Sequence, residues 1–186
     1  MALNVNDYLR FSLENMMKME HDIGLMLQKM HDEVHNPQLK QLLAQHLDPT
    51  HQQHDRLQQC LNRLGGPLEH RGGFMEKVTE TIGMAGDESH PVTQGMMKAH
   101  EQFLAMDPTD NVVDLHDAAE AVKTEHMEIA SYRNLIALAE QLGDTETVNL
   151  LQQNLHGEEQ MRTALETALP SLLPSLARHP EPAVVP

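Results

Sequence analysis

Four glutamates stand where amphipathic helices would carry their apolar stripe, and their spacing suits metal ligation. Glu20 lies four residues after Met16 and three before Ile23. Glu125 follows Val122 by three and precedes Ile129 by four, and Glu128 precedes Tyr132 by four. Glu158 follows Leu155 by three and precedes Leu165 by seven. His46 sits three after Leu43, and Gln53 continues that stripe towards Leu57. A buried carboxylate without compensation is costly, or it neutralises itself by taking up a proton. Divalent cations relieve such a cluster. Hard, oxygen-preferring ions bridged by carboxylates, with an imidazole completing the shell, are the usual solution inside helical bundles. The i,i+3 pair Glu125 and Glu128 lets one helix offer two ligands to the same ions.

Each residue also has a plainer reading. A lone glutamate on an apolar stripe commonly sits at its edge and reaches water. It is the four together, on helices whose pairing follows from separate signals, that favour a shared metal site. His46 by itself reads equally well as a ligand or as a hydrogen-bonded core histidine. The pairs His31/His35 and His51/His54 have metal-compatible helical spacing, which surface histidines share. Met16, Met19, Met26 and Met30 read as packing in irregular gaps.

The elements that position these residues show a period of 3.6. A first helix runs from about Asn6 to Val34 with Leu9, Leu13, Met16, Ile23, Leu27, Met30 and Val34 on one stripe. Asn36-Pro37 stops it and starts a second helix, which carries Leu39, Leu42, Leu43, Leu57, Leu61 and Leu64 and ends at Gly65-Gly66-Pro67. A third pattern, about Asn111 to Leu142, carries Leu115, Val122, Ile129, Tyr132, Ile136 and Ala139. After Gly143-Asp144 a fourth follows through Val148, Leu151, Leu155, Leu165 and Leu169. The short connections make antiparallel hairpins of helices one and two and of three and four. Between the hairpins, roughly Leu68 to Asp110, weaker helical stretches at Phe74–Met84 and Thr93–Met106 predict a long, partly helical crossover. The fold class is therefore all-α, a four-helix bundle in the ferritin-like connection, over residues 1–169. Residues 170–186 form a proline-rich tail, mobile or laid on a neighbouring subunit.

Composition narrows the function. The 186 residues carry 13 Lys+Arg against 28 Asp+Glu, a formal net charge of −15, which argues against nucleic acid or an anionic membrane surface as partner. No apolar run approaches a membrane span, and the polar N-terminus is unlike a secretory signal. One cysteine, Cys60, excludes a disulfide framework and thiolate-based metal sites, and a reducing cytoplasm is the simplest reading. Thirteen methionines against five aromatic residues leave a core of helix-forming aliphatics. No nucleophile triad, phosphate loop or dinucleotide fingerprint is present.

At these residues the chain resembles the ferritin-like YciE/YciF family of bacterial stress proteins. The segments that carry the likeness are MEHDIGLMLQKM at 19–30, NPQLKQLLAQHL at 36–47, EHMEIASYRNLIALAEQLGD at 125–144 and LLQQNLHGEEQM at 150–161. The resemblance covers roughly residues 7–169 and weakens in the crossover. It implies a homodimer with a dinuclear iron (or manganese) site, two ions per chain, produced in stress responses. The ligand positions it carries over are Glu20, His46, Glu125, Glu128 and Glu158, with Tyr132 bonding to or shielding the site. Two positions depart from the family pattern. Pro49 stands where the second helix usually carries a glutamate three after the histidine, and Gly157 stands where an acidic residue usually precedes Glu158. Pro49 should kink the second helix near Gln45. Such a kink could turn Asp48 or His51 towards the missing ligand's place, which adds both to the candidate metal ligands.

The expected function is a ferritin-like stress protein whose dinuclear centre handles iron or reactive oxygen. Oxidase, peroxidase or catalase-like turnover is an open extension, and the manganese-catalase type needs a fuller ligand set. The alternative is a metal-free helical scaffold that kept the bundle and lost the site through Pro49 and Gly157. Substitution Pro49→Glu is expected to raise metal affinity.

Overall fold

The computed structural model describes residues 4–68 and 89–176. Helix α1 spans Val5–Glu33, α2 Pro37–Arg63, α3 Pro91–Leu104, α4 Asp110–Gln141 and α5 Thr145–Leu176, and no strand occurs among the described residues. The expected stretch Phe74–Met84 and the end of the tail, 177–186, lie outside the described residues.

Local chemistry sets the ends of the helices. The Asn4 side chain accepts from the Asp7 N–H at 2.9 Å and opens α1. The Asn36 side chain accepts from Gln38 and Leu39 N–H, with Pro37 in the first turn where no N–H is required, and opens α2. Between α4 and α5, Gly143 takes φ +70° while the Asp144 N–H donates to the Ala139 carbonyl, closing the helix end. Asp144 then caps α5, accepting from the N–H and the hydroxyl of Thr147.

Contacts between helices fix the layout. Arg10 donates to the carbonyls of Gly66 and Pro67, so the start of α1 meets the end of α2. The His35 N–H donates to Asp114 at 2.6 Å, which sets α4 antiparallel to α1. Arg56 donates to Asn154 and Arg63 pairs with Glu146, which sets α5 antiparallel to α2. The result is a square bundle: α1 against α2 and α4, and α5 against α4 and α2. Helix α3, part of the crossover, lies on α1. Asp22 of α1 anchors it by accepting from the His90 N–H and the Thr93 hydroxyl.

All seven stripe residues expected on α1 are buried, among them Leu9, Leu13 and Met30. One apolar end layer contains Leu9, Leu13, Leu57, Leu61, Leu135 and Leu151, and the other contains Leu27, Met30, Leu39, Leu43, Ala121 and Leu165. Between them the inward face turns polar.

Two expectations need correction. Helix α2 runs through Pro49 without a break. Its buried positions Leu39, Leu43, His46, Thr50, Gln53, Leu57 and Cys60 keep alternating steps of four and three. The proline removes one hydrogen bond, to the carbonyl of the exposed Gln45, where water can substitute, and the Thr50 hydroxyl donates to the next carbonyl, that of His46. The stripe therefore passes from His46 to Thr50 and Gln53, leaving Asp48 and His51 exposed on the far side. The second correction concerns α5, which overruns the expected stop at Leu169 and passes Pro170 to reach Leu176. Pro170 is exposed, and its missing hydrogen bond falls on the solvent side.

Candidate metal centre

The polar layer draws on all four long helices: Glu20 from α1, His46 and Gln53 from α2, Glu125, Glu128 and Tyr132 from α4, and Asn154 and Glu158 from α5. Each of these side chains is at most 3% exposed. Heptad-like spacing on α4 buries Ala121, Glu125, Glu128, Tyr132, Leu135 and Ala139 along one face, so the carboxylates are carried inwards by the packing of their apolar neighbours.

Ligand atoms of His46, Glu125, Glu128 and Glu158 all lie within 4.8 Å of one another. His46 Nε2 is 3.4 Å from an oxygen of Glu125 and 3.4 Å from one of Glu158. The remaining polar groups hold this set in place. Tyr132 donates its hydroxyl to Glu20, and Asn154 donates to the Tyr132 oxygen at 3.0 Å and to the Gln53 carbonyl at 3.1 Å. Gln53 donates its amide to Glu158. Gly157 leaves room for that amide, because a Cβ there would come within 3.2 Å of the Gln53 nitrogen.

Hydrogen bonds within the protein leave much of the layer unsatisfied. Glu20 Oε2, Glu125 Oε2, both oxygens of Glu128 and Glu158 Oε2 are buried without a hydrogen-bond partner among the described residues. Burial, reinforced by the nearby Glu158, pushes the Glu125 carboxyl up to about 10. The same two causes hold Glu128 and Glu20 well above the usual carboxylate range, the Tyr132 hydrogen bond opposing them at Glu20. Such a set is either protonated or bound to cations. Its donors, carboxylate oxygens and one imidazole, fit hard or borderline divalent ions.

A cleft of about 360 Å³ opens between α2 and α5 and reaches this layer at His46 and Gln53. Pro49 and Gly157, the two positions that depart from the family pattern, both line it. Of the residues singled out in the sequence, Glu20, His46, Glu125, Glu128, Glu158 and Tyr132 share the layer. Asp48 and His51 do not. Sequence reasoning missed Asn154, which follows Leu151 on the α5 stripe, and Thr50, which lies between the polar His46 and Gln53 on the α2 stripe.

The family model described as "Domain of unknown function (DUF892)" matches residues 4–82 and 74–177. Protein YciF of Escherichia coli (strain K12) is 27% identical over 155 residues, covering 83% of this chain and 84% of that protein. Among solved structures, YcfI from Rhodopseudomonas palustris superposes with a TM-score of 0.73 at 29% identity, covering 88% of this chain and 94% of its own. The crystal structure of the E. coli stress protein YciF gives 0.75 at 24% identity, covering 93% and 99%, and so shares the fold. The matched stretches run almost from end to end, so the chain belongs to the DUF892 family, alongside the YciF-like proteins.

Proposed function

We propose that this protein binds a dinuclear metal centre, iron by preference and otherwise manganese, in the central polar layer, and serves in the handling of iron or reactive oxygen under stress. One observation carries the reading: five carboxylate oxygens from four glutamates are buried in one layer without a hydrogen-bond partner among the described residues. Glu125, Glu128, Glu158 and His46 would hold the ions, with Glu20 of α1 adding a fourth carboxylate to the layer. When bound, iron would supply one-electron chemistry towards oxygen or peroxide.

The protein's own groups would do the rest. Tyr132 fixes one oxygen of Glu20 and leaves the other free for a cation. The Gln53 amide does the same at Glu158. The apolar layers above and below exclude water, and the cleft beside Pro49 and Gly157 offers a small oxidant a route to the layer. The stress context rests on the likeness to the E. coli stress protein.

Anaerobic loading with Fe²⁺, removal of excess and elemental analysis test this reading. About two ions per chain are expected for a dinuclear centre, with a higher Tm because the ligand binds the native state alone. Loading below a tenth of an equivalent, with no change in Tm, would leave a metal-free scaffold as the function of the bundle.

A further inference from the structure

A second cluster of ligating side chains lies away from the central layer, where α3 meets the end of α1 and the start of α4. Asp22 fixes the start of α3, and ten residues further along His100 enters the bundle wall, 3% exposed. His100 Nε2 is 2.7 Å from Glu33 of α1. Where the Glu33 carboxylate accepts from Nε2–H, the neutral ring keeps its lone pair on Nδ1. The Nδ1 atom lies 3.5 Å from Asp117, out of hydrogen-bonding alignment. Asp117 is fully buried, and neither of its oxygens has a hydrogen-bond partner among the described residues. Nε2 of the neighbouring His116 is also buried, with no hydrogen-bond partner among the described residues. The His116 ring stacks on Phe103, with centroids 3.8 Å apart, and lies beside His100, with centroids 5.4 Å apart.

The three residues present ligand atoms within 4.8 Å of one another. A purely hydrogen-bonded network would pair these atoms, whereas here His100 Nδ1, His116 Nε2 and both Asp117 oxygens are left over. Two imidazoles and a carboxylate form the donor set of a borderline first-row ion, and a carboxylate on the far nitrogen of a ligating histidine is the usual support for its orientation.

We propose that His100, His116 and Asp117 form a second metal site that takes one zinc-like divalent ion, with Glu33 orienting His100. It shares no residue with the central layer. Asp117 stands eight residues before Glu125 on α4, roughly 12 Å along the axis. The bound ion would tie α3, whose only fully enclosed side chains are Thr93 and His100, to the bundle, so the site pins the crossover to the helices that carry the central layer.

Metal binding by the full chain carrying Glu125→Gln and Glu128→Gln, which disables the central layer, tests the proposal. Co²⁺ is expected to bind at one ion per chain with visible d–d bands, and Zn²⁺ to displace it. Adding Asp117→Asn or His116→Gln should abolish both signals, and Glu33→Gln should weaken binding about 10–100-fold. In the parent chain, Asp117→Asn should lower bound Zn²⁺ by one ion and leave iron loading unchanged, so the result does not depend on the double variant folding. Helical protein that binds no Co²⁺, or Co²⁺ binding unaffected by Asp117→Asn and His116→Gln, would overturn the site and leave an ordinary buried ion-pair network.

Discussion

Two buried polar clusters sit at different heights of this bundle and differ in charge and in donor type. The central one gathers four glutamates and one histidine from four helices. The other gathers two histidines and one aspartate from α3 and α4, with Glu33 behind them. Burial raises carboxyls in both, Glu125 to about 10 and Asp117 to about 7. At Asp117 burial is again the main cause, with Glu33, Asp114 and Glu120 adding to it and Lys29 offsetting part of the cost. Burial also pushes the His116 imidazole down, which keeps it neutral and able to ligate. The number of enclosed negative charges sets how much cation each cluster demands, and the donor atoms set which kind. Four carboxylates call for two dications, whereas two imidazoles and one carboxylate call for one.

The sharpest way to break this contrast is Glu128→Gln. Both oxygens of Glu128 lack hydrogen-bond partners among the described residues, so the neutral isostere should stabilise the metal-free protein at pH 8 by about 1–4 kcal/mol in denaturant unfolding, while iron loading falls to one ion per chain or less. Lower stability of the metal-free variant would show that Glu128 is already paired.

The next effect concerns pH. A carboxyl raised in the folded state from its ordinary 4.5 to about 10 keeps a proton that the unfolded chain gives up. The stability it contributes is complete below about pH 4.5 and is lost as pH rises towards 10. The Tm of metal-free protein should therefore fall from pH 5 to pH 8. With saturating Fe²⁺ the trend should reverse, because the ions displace those protons.

Gln53 and Pro49 offer a finer comparison. Gln53 is 2% exposed and donates to Glu158, whereas Pro49 lines the outer cleft. Gln53→Glu should raise metal affinity more than Pro49→Glu, as read from Fe²⁺ or Mn²⁺ titrations, and it should lower metal-free stability at pH 8. Equal affinities would place position 49 closer to the ions than the stripe allows. Tyr132→Phe removes the donor to Glu20 and the acceptor for Asn154, with an expected loss of about 1–3 kcal/mol in chemical denaturation. Gly157→Ala should change stability least, within about 1 kcal/mol, because the gain in helix propensity opposes the 3.2 Å contact with Gln53.

Much of the central layer was legible because its carboxylates interrupt stripes that are otherwise apolar, and a stripe reports burial whatever residue occupies it. Glu20, Glu125, Glu128 and Glu158 were found in that way. Asp48 and His51 were misplaced because a proline kink was expected to re-aim α2, whereas the four-three alternation continues through Pro49 and points Thr50 and Gln53 inwards. The cluster at His100, His116 and Asp117 gave no such signal. His100 joins the adjacent His116 and Asp117 only when Asp22 docks α3 on α1, a contact between segments 68 residues apart.

The sequence by itself determined where the four long helices lie, apart from the end of α5, where Asn36 and Gly143 turn the chain, and which faces are buried, since these depend on spacing and capping within a few residues. The tertiary structure alone decided which oxygens go without partners, that Gln53 and Asn154 organise the layer, and that α3 brings His100 to Asp117. Those outcomes depend on distances between helices, and a pattern with a period of 3.6 residues carries no information about the neighbour it will meet.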